Sequence, residues 1–278
     1  MTGSAGDDVR STGPVIEVAG VTFAYDRGAP ETISQLTLDV HRGDFVGILG
    51  PNGAGKSTLM RLIAGLHSPR RGSVRVLGGD VASLTRDQIA RRVAWVPQRE
   101  ELAFGFRVRD VVAMGRAPHT GWFGVLRETD TNAVSRAMDA CDCMQFAERP
   151  FDELSGGEQK RVLVARALAQ QTPVLLLDEP VASVDIQHQL ALCELLARGV
   201  AAKNYTAVAV MHDLNLAAQF CTRVVFLREG RLVAQGPVHD VMTYRTIRET
   251  FDADVYVGEN EINRTRYFVP MRATRPEG

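Results

Sequence analysis

The sequence predicts an α/β protein in which helices cover the faces of a parallel or mixed β-sheet. Three nearly continuous apolar stretches, FVGILG, PVLLLDEP and YTAVAVMHD, are typical of strands that are buried on both faces. Segments with apolar residues at helical spacing lie between them. Strands that alternate with helices in this way predict a sheet with helices packed against it.

The N-terminal part begins with strands of another kind. VIEVAGVTFAY and QLTLDV alternate apolar and polar residues, which favours half-buried antiparallel strands. After the buried strand FVGILG, the segment KSTLMRLIAGL has helical spacing at Leu59, Leu62, Ile63 and Leu66. HSPRRG ends that helix because it contains Pro and Gly, and SVRVLGG and VAWVPQ are predicted strands.

The middle of the chain, residues 99–154, predicts a helical insert made of RVRDVVAMGRAP and TNAVSRAMDACDCMQFAERP, with the loop APHTGWFG between them. Beyond it we expect helices at QKRVLVARALAQ, IQHQLALCELLARGV and LNLAAQFC, and a hairpin formed by RVVFL and RLVAQG. The tail contains a short helix and the strands ADVYVG and RYFVP. We therefore expect a disordered tail at residues 1–13, a main domain at 14–240 and a short α/β extension at 241–278.

Composition argues against several classes of protein. The 278 residues are 45% hydrophobic with a formal net charge of −1, which gives no overall attraction to nucleic acid. The four cysteines do not form a disulfide framework in a chain this long, and the Cys141-x-Cys143 pair lacks a second pair at zinc-finger spacing. MTGSAGDDVRSTGP has no apolar targeting segment, and no stretch approaches the roughly 18 apolar residues of a membrane span. We expect a soluble, cytoplasmic protein that reaches a membrane only through a partner.

The segment GPNGAGKST lies between a predicted buried strand and a predicted helix. Gly50, Gly55, Lys56 and Ser57 match the phosphate-loop pattern G-x-x-x-x-G-K-[ST]. Glycines let backbone N–H groups approach phosphate oxygens, and the following helix points its positive end at the same anion. Lys56 supplies charge for the β- and γ-phosphates and Ser57 a hydroxyl for Mg²⁺. The alternative is a turn with chance glycines, but this context favours a nucleotide phosphate site.

Two carboxylates follow the next buried strand. Asp178 ends the strand, where P-loop enzymes place an acid for the metal ion. Glu179 is placed to orient and deprotonate an attacking water. Open α/β sheets bind ligands outside the carboxyl ends of their strands. A strand that merely ends in two solvated acids is the alternative, and the lysine loop favours the catalytic interpretation.

The segment LSGGEQKR predicts a second helix start that is able to hold an anion. Ser155 is a good N-cap, Gly156 and Gly157 expose backbone N–H groups, and the predicted helix runs from Glu158. An ordinary capped helix is the alternative. Because the chain already has one phosphate site, the functional interpretation needs a second nucleotide, or the same nucleotide contacted by another copy of the chain.

GPNGAGKST, LSGGEQ and LLLDEP, in this order, resemble the ATP-binding cassette (ABC) ATPases, and the likeness extends over about residues 15–236. It implies a P-loop NTPase sheet core with an N-terminal antiparallel β subdomain and an inserted helical subdomain. ATP and Mg²⁺ are the implied cofactors. The resemblance gives as ATP-binding residues Tyr25, which stacks on adenine, and Gly50, Pro51, Asn52, Gly53, Ala54, Gly55, Lys56, Ser57 and Thr58.

The resemblance also implies roles outside the phosphate loop. The catalytic residues are Glu179, the switch histidine His212 and Gln98, the glutamine between the sheet core and the helical insert; the Mg²⁺ ligands are Ser57, Gln98 and Asp178. In a head-to-tail homodimer, the residues that act in trans are Ser155, Gly156, Gly157 and Gln159, and Asp185 contacts the partner copy. Val181 and Ala182 replace the usual Thr and Ser, which puts the hydrogen bonding of that turn, the hydrolysis rate and dimer communication in question.

MGRAPH, DIQHQ, HDLNLAAQFC and the tail ending in YFVP resemble one branch of the family, the ATPases of metal-chelate importers. This branch implies ATP-driven uptake of cobalamin or an iron(III)-siderophore, with haem as the next candidate substrate. Uptake would run through a separate permease at the cytoplasmic face of the membrane, with a substrate-binding protein as indirect partner and no nucleic acid.

Other interpretations are a transporter ATPase for another solute, a soluble ABC ATPase of translation or DNA repair, and a P-loop kinase. The soluble type usually has tandem cassettes or a long coiled coil, which this sequence lacks. LSGGEQ, together with Gln98 and His212, argues against a kinase.

Overall fold

A computed structural model of the chain describes residues 13–98, 100, 102, 105–120, 124–182 and 184–271. The predicted disordered tail, apart from Gly13, lies outside the described residues. The described strands are β1 Ile16–Phe23, β2 Ile33–Val40, β3 Phe45–Leu49, β4 Arg71–Val76, β5 Gly79–Asp80, β6 Val93–Val96, β7 Val174–Asp178, β8 Thr206–Val210, β9 Arg223–Arg228, β10 Arg231–Pro237, β11 Val255–Glu259 and β12 Arg266–Pro270.

The α-helices within the same residues are α1 Lys56–Ile63, α2 Arg86–Ala90, α3 Val108–Ala113, α4 Ala117–Thr120, α5 Glu128–Ala140, α6 Gly156–Ala169, α7 Ile186–Ala201, α8 Leu214–Phe220, α9 Val238–Val241 and α10 Tyr244–Phe251. Short 3₁₀ turns are found at Val81–Ser83, Met114–Arg116, Met144–Phe146 and Phe151–Glu153. None of the helices in the described part of the chain combines the length and the apolarity that crossing a membrane requires.

The central sheet has the strand order β10-β9-β3-β8-β7-β6. β9, β3, β8, β7 and β6 are parallel, and β10 pairs antiparallel with β9, which confirms the mixed sheet and the predicted hairpin. Along β3, Phe45 and Leu49 pack in one apolar core while Val46 and Ile48 pack in another. The strand is apolar throughout because both of its faces are buried. The carboxyl ends of β3, β7 and β8 therefore meet at one edge.

A second, antiparallel sheet has the order β2-β1-β4-β5. Buried and exposed residues alternate along most of β2, as the sequence predicts for a sheet with one face in the core. Leu36 and Leu38 of β2 share a core with Leu59 and Leu62 of α1. This sheet thus packs over the helix that follows the phosphate loop.

Two predicted helices end earlier than the sequence analysis expects. α1 stops at Ile63 rather than Leu66, because Gly65 adopts φ +69° and a Cβ there would lie 2.5 Å from Cδ1 of Ile89. Leu66 is therefore not on the buried face of α1 but 63% exposed. In the insert, the helix predicted over residues 131–150 is α5, which ends at Ala140 because Asp142 turns to a left-handed φ of +49°.

The C-terminal elements α10, β11 and β12 pack against the rest of the described chain. Asn215, in the first turn of α8, receives a hydrogen bond from the N–H of Phe268 at 2.8 Å and donates one to its carbonyl at 3.3 Å. Phe268, Val255 and Ile247 join the core that α6 and α7 share. The predicted short helix and two strands are present as α10, β11 and β12.

Candidate nucleotide-binding site

The phosphate loop connects β3 to α1 through two glycines that the structure requires. A Cβ on Gly50, at φ +153°, would lie 2.1 Å from the carbonyl oxygen of Leu227. A Cβ on Gly55, at φ +93°, would lie 2.6 Å from Cδ1 of Ile33. These positions let the backbone turn where a side chain would collide, so the loop wraps a small space at the sheet edge.

The positive groups of the loop point at that space. Nζ of Lys56 donates to the carbonyl oxygens of Gly50 and Pro51, both at 2.8 Å, so the ammonium lies across the loop. Burial lowers the pKa of Lys56, while the nearby Glu179 and Asp178 oppose that shift. The first turn of α1 has no side-chain cap and no acidic residue. Its free N–H groups and Lys56 thus form a site for an anion such as phosphate.

The carboxylate at the end of β7 lies next to the loop. Oγ of Ser57 donates to Oδ1 of Asp178 at 3.2 Å, and Asp178 is 2% exposed. Burial raises the pKa of Asp178, an effect that the Ser57 hydrogen bond partly offsets. Hydroxyl and carboxylate oxygens are the ligands that Mg²⁺ prefers. The residues present therefore fit the predicted metal ion.

Glu179 is a conformationally constrained carboxylate next to the phosphate loop. It adopts a φ of +53°, which is uncommon for a residue other than glycine and occurs often at functional sites. Nε2 of His212 lies 2.6 Å from Oε1 of Glu179. Burial raises the pKa of this carboxyl, but hydrogen bonds from His212 and Gln98 outweigh burial and leave it below its ordinary value. These contacts therefore favour the carboxylate form of Glu179.

Tyr25 lies at the far end of the loop. Its hydroxyl is 3.0 Å from Oγ1 of Thr58 and accepts a hydrogen bond from Arg61 at 3.1 Å. The ring packs edge-on against Phe23 and His67, yet the residue stays 50% exposed. An anchored and half-exposed ring can stack on a nucleotide base.

The predicted signature residues and Asp185 form their hydrogen bonds away from the phosphate loop. Oγ of Ser155 donates to Oε2 of Glu158 at 2.8 Å, and Nε2 of Gln159 donates to the carbonyl of Phe151 at 3.2 Å. Asp185 accepts from the N–H of His188 at 3.1 Å. Gly156 faces open space, since a Cβ there would meet nothing within 4 Å. Among the described residues, none of these groups hydrogen-bonds the phosphate loop of its own chain.

The turn after Glu179 is held by hydrogen bonds other than side-chain hydroxyl bonds at positions 181 and 182, since Val181 and Ala182 have no hydroxyl. The N–H of Ala182 donates to the carbonyl of Glu179 at 3.3 Å. Nε2 of Gln189 donates to the carbonyls of Val181, at 3.2 Å, and Val184, at 2.7 Å. Gln189 belongs to the DIQHQ segment, whose sequence alone does not indicate these contacts.

Lys160 is a further residue near the site, and none of the sequence motifs points to it. Its Nζ donates to the carbonyls of Pro97, at 3.2 Å, and Gln98, at 2.6 Å. The available signal was helical periodicity, because Lys160 lies four and seven residues before Val164 and Ala167, which are both buried. A lysine on the apolar face of a helix is a candidate for a specific buried contact.

A phosphate loop, a buried acid bonded to its serine and a glutamate bonded to a histidine, all at one sheet edge, define a P-loop nucleoside triphosphatase site. Residues 33–182 match the family model described as ABC transporter. The chain belongs to the ABC transporter family, with the site of an ABC ATPase.

Curated relatives of the chain carry import functions. It is 46% identical over 247 residues to the cobalamin import ATP-binding protein BtuD of Halobacterium salinarum. This alignment covers 89% of the present chain and 59% of BtuD. The chain thus spans about three fifths of that relative's length. It is 38% identical over 254 residues to the hemin import ATP-binding protein HmuV of Rhodococcus jostii, covering 91% and 86%. It is 35% identical over 265 residues to the ferric enterobactin transport ATP-binding protein FepC of Escherichia coli, covering 95% and 98%.

Solved structures agree on the fold. A protein described as a metal-chelate type ABC transporter, in an inward-facing conformation, superposes with a TM-score of 0.80 at 27% identity, covering 93% of this chain and 98% of that chain. A dimeric ATP-binding cassette in a post-hydrolysis state, bound to ADP and Pi, superposes with a TM-score of 0.73 at 25% identity, covering 80% and 98%. The predicted α/β fold and its P-loop core are confirmed.

Proposed function

We propose that the chain is the ATP-hydrolysing subunit of an importer for a metal chelate. The observation that carries the proposal is the convergence at one sheet edge of Lys56, the Ser57–Asp178 pair and the Glu179–His212 pair. Binding and hydrolysis of a nucleoside triphosphate require these groups together. The import functions named for three relatives support the transport role.

In the proposed mechanism, the N-terminus of α1 binds the phosphates of ATP. Lys56 exchanges its contacts with the Gly50 and Pro51 carbonyls for the β- and γ-phosphates, and Tyr25 stacks on adenine. Ser57, Asp178 and Gln98 would hold Mg²⁺, which offsets the negative charge of the phosphates. Glu179 accepts the proton of the attacking water, and His212 holds Glu179 in place through the 2.6 Å hydrogen bond.

Two copies of the chain are needed to complete each site. Ser155, Gly156, Gly157 and Gln159 would close over ATP that the partner copy holds, with Asp185 at the joint. The outward-facing glycine and the local contacts of these residues support an action in trans. A dimeric cassette among the superposed structures supports the head-to-tail pair.

The assembly extends to a membrane permease. We assign residues 14–240 to the cassette and 241–278 to an extension, and infer that the helical insert at 99–154 docks a cytoplasmic helix of the permease. The chain then works at the cytoplasmic face of the membrane, with a substrate-binding protein as an indirect partner and no nucleic acid. Closure of the two ATP sites would change the side of the membrane to which the permease is open.

Glu179→Gln tests the chemistry. The amide cannot accept a proton, so we expect hydrolysis to fall by about 10²–10⁴-fold while ATP binding persists. Light scattering with ATP and Mg²⁺ should then detect a stable dimer. Glu261→Gln, at an exposed residue between β11 and β12, is the matched control and should hydrolyse ATP like the wild type. A Glu179→Gln protein that hydrolyses ATP at the wild-type rate would refute the assignment.

Uptake measurements test the substrate class, which we propose to be cobalamin or an iron(III)-siderophore, with haem as the third candidate. A deletion strain should lose uptake of one of these three labelled chelates. The wild-type gene should restore it, and the Glu179→Gln gene should not. Normal uptake of all three with loss of another solute would reject the substrate but keep the ATPase.

A further inference from the structure

Within the described residues, Lys160 is a buried cation without an acidic ion-pair partner. It lies on α6 with 8% of its surface exposed, and burial lowers its pKa while Asp178 and Glu179 oppose that shift. Its hydrogen bonds run to the backbone carbonyls of Pro97 and Gln98. No carboxylate lies within ion-pair distance of it in the described part of the chain. Burying an unpaired ammonium is costly, so this contact needs an explanation beyond packing.

A second basic residue of α6, Arg166, binds the same part of the chain. Arg166 makes a bidentate ion pair with Glu100, with Nη1 2.5 Å from Oε1 and Nη2 on Oε2. Both side chains are mostly buried, at 16% and 22% exposure. Bidentate arginine–carboxylate pairs fix geometry as well as adding energy. Lys160 and Arg166 therefore attach Pro97, Gln98 and Glu100 to α6.

This attachment connects two distinct sites. Gln98 helps to lower the pKa of Glu179, and the proposed function places it in the ATP site of its own copy. The N-terminus of the same helix α6 is capped by Ser155, which in the proposed function closes the ATP site of the partner copy. One helix thus touches the first site through Lys160 and presents Ser155 to the second.

We propose that Lys160 is a positioning residue that transmits nucleotide occupancy from the Gln98 side of one ATP site to the Ser155 end of α6, and so to the partner's site. The inference rests on the proposed function. When Gln98 moves on ATP binding, the hydrogen bonds from Lys160 to its backbone move α6 with it. ATP binding at one site of the dimer then affects the other site, so the two sites become cooperative.

Lys160→Met separates transmission from packing. Methionine has a similar length and no charge, so it removes the burial cost but leaves two carbonyls unpaired. Lys160→Arg keeps donors for the same carbonyls. Lys203→Met, at an exposed lysine, is the matched control. Thermal unfolding of all three proteins establishes that they are folded.

The kinetic measurement is ATP hydrolysis against ATP concentration. We expect a wild-type Hill coefficient above 1, limited by the two sites of the dimer. Lys160→Met should bring it to 1 and lower kcat by about 10-fold, with the Kd of a fluorescent ATP analogue unchanged. Lys160→Arg should restore the cooperativity, and Lys203→Met should match the wild type. A structural role alone would leave the Hill coefficient unchanged.

Amide hydrogen exchange measures the transmission without turnover. In a Ser155→Arg background, which blocks closure of the dimer, ATP should still slow exchange in the peptide that contains Ser155. Adding Lys160→Met should abolish that effect. Equal slowing in both proteins, or wild-type kinetics in Lys160→Met, would overturn the inference while the ATPase assignment stands. A wild-type protein that neither binds nor hydrolyses ATP would overturn both.

Discussion

The N-termini of α1 and α6 both include glycine, since Gly55 is the N-cap of α1 and Gly156 is the first residue of α6, yet the two ends are capped differently. α1 starts after Gly55 with no side-chain cap and no acid in its first turn. α6 starts with a reciprocal capping box, in which the N–H of Glu158 donates to Oγ of Ser155 at 3.4 Å and the N–H of Ser155 donates to Oε2 of Glu158 at 2.8 Å.

Under the proposed function, the two helix ends meet their ligand at different stages, which accounts for the difference. The first N–H groups of a helix have no partner within the helix, and a side-chain cap stabilises it by about 0.5–2 kcal/mol. α1 lacks this cap, so its N–H groups stay free for an anion held by its own chain. α6 has the cap, which stabilises its first turn within the same chain, and this suits the proposed role of its N-terminus at the ATP site of a second copy.

The largest expected effect is at α1. Lys56→Ala removes the charge at the uncapped end, so ATP affinity and turnover should fall together, by about 10²–10³-fold. Equilibrium binding of a fluorescent ATP analogue measures this. Lys203→Met is the control for a lost surface charge. If both parameters were unchanged, the loop would be structural only.

Ser155→Arg is the corresponding change at α6. The bulky cation should block closure over the partner's ATP and lower hydrolysis by about 10²-fold, while the copy's own phosphate loop binds the analogue normally. In mixtures with Lys56→Ala, each mixed dimer retains at most one unimpaired site. Normal hydrolysis by Ser155→Arg alone would contradict the composite site.

Gly55→Ala tests the backbone of the uncapped end. At φ +93°, with a Cβ 2.6 Å from Cδ1 of Ile33, alanine should lower the free energy of unfolding by about 1–3 kcal/mol and weaken ATP binding. Gly156→Ala at α6, where a Cβ meets nothing within 4 Å, is the matched control for stability. Urea unfolding compares the two, and equal losses would remove the distinction between the helix ends.

The smallest effect concerns the acid of the capping box. Hydrogen bonds from the backbone N–H and then the hydroxyl of Ser155 hold the pKa of Glu158 below its ordinary 4.5. Because the folded-state pKa is depressed, the stabilisation is present above the unfolded-state pKa and is lost as pH falls through the folded-state pKa. Glu158→Gln should thus be less stable than the wild type by about 0.3–1 kcal/mol at pH 7, and this difference should vanish in acid. A difference independent of pH would show that the charge is irrelevant.

Much of the fold follows from local patterns. Buried strands such as β3 and β7 are continuous apolar stretches because both faces are covered, and these patterns are visible without a structure. Apolar periodicity does not predict α2, because a helix of five residues is too short to show a helical repeat. The structure nevertheless gives it a capping box formed by Thr85 and Gln88. The early ends of α1 and α5 depend on left-handed backbone at Gly65 and Asp142, which only tertiary packing selects.

The sequence by itself determined the phosphate loop, the paired acids and the signature segment, because each is a contiguous run whose chemistry depends on residue type and spacing. Only the tertiary structure decided that Ser57 meets Asp178 at 3.2 Å, that His212 meets Glu179 at 2.6 Å and that Lys160 meets Gln98 at 2.6 Å. These partners are 33 to 121 residues apart along the chain. Contacts of such separation depend on strand order and helix packing, which bring distant segments to one edge of the sheet and which no local pattern specifies.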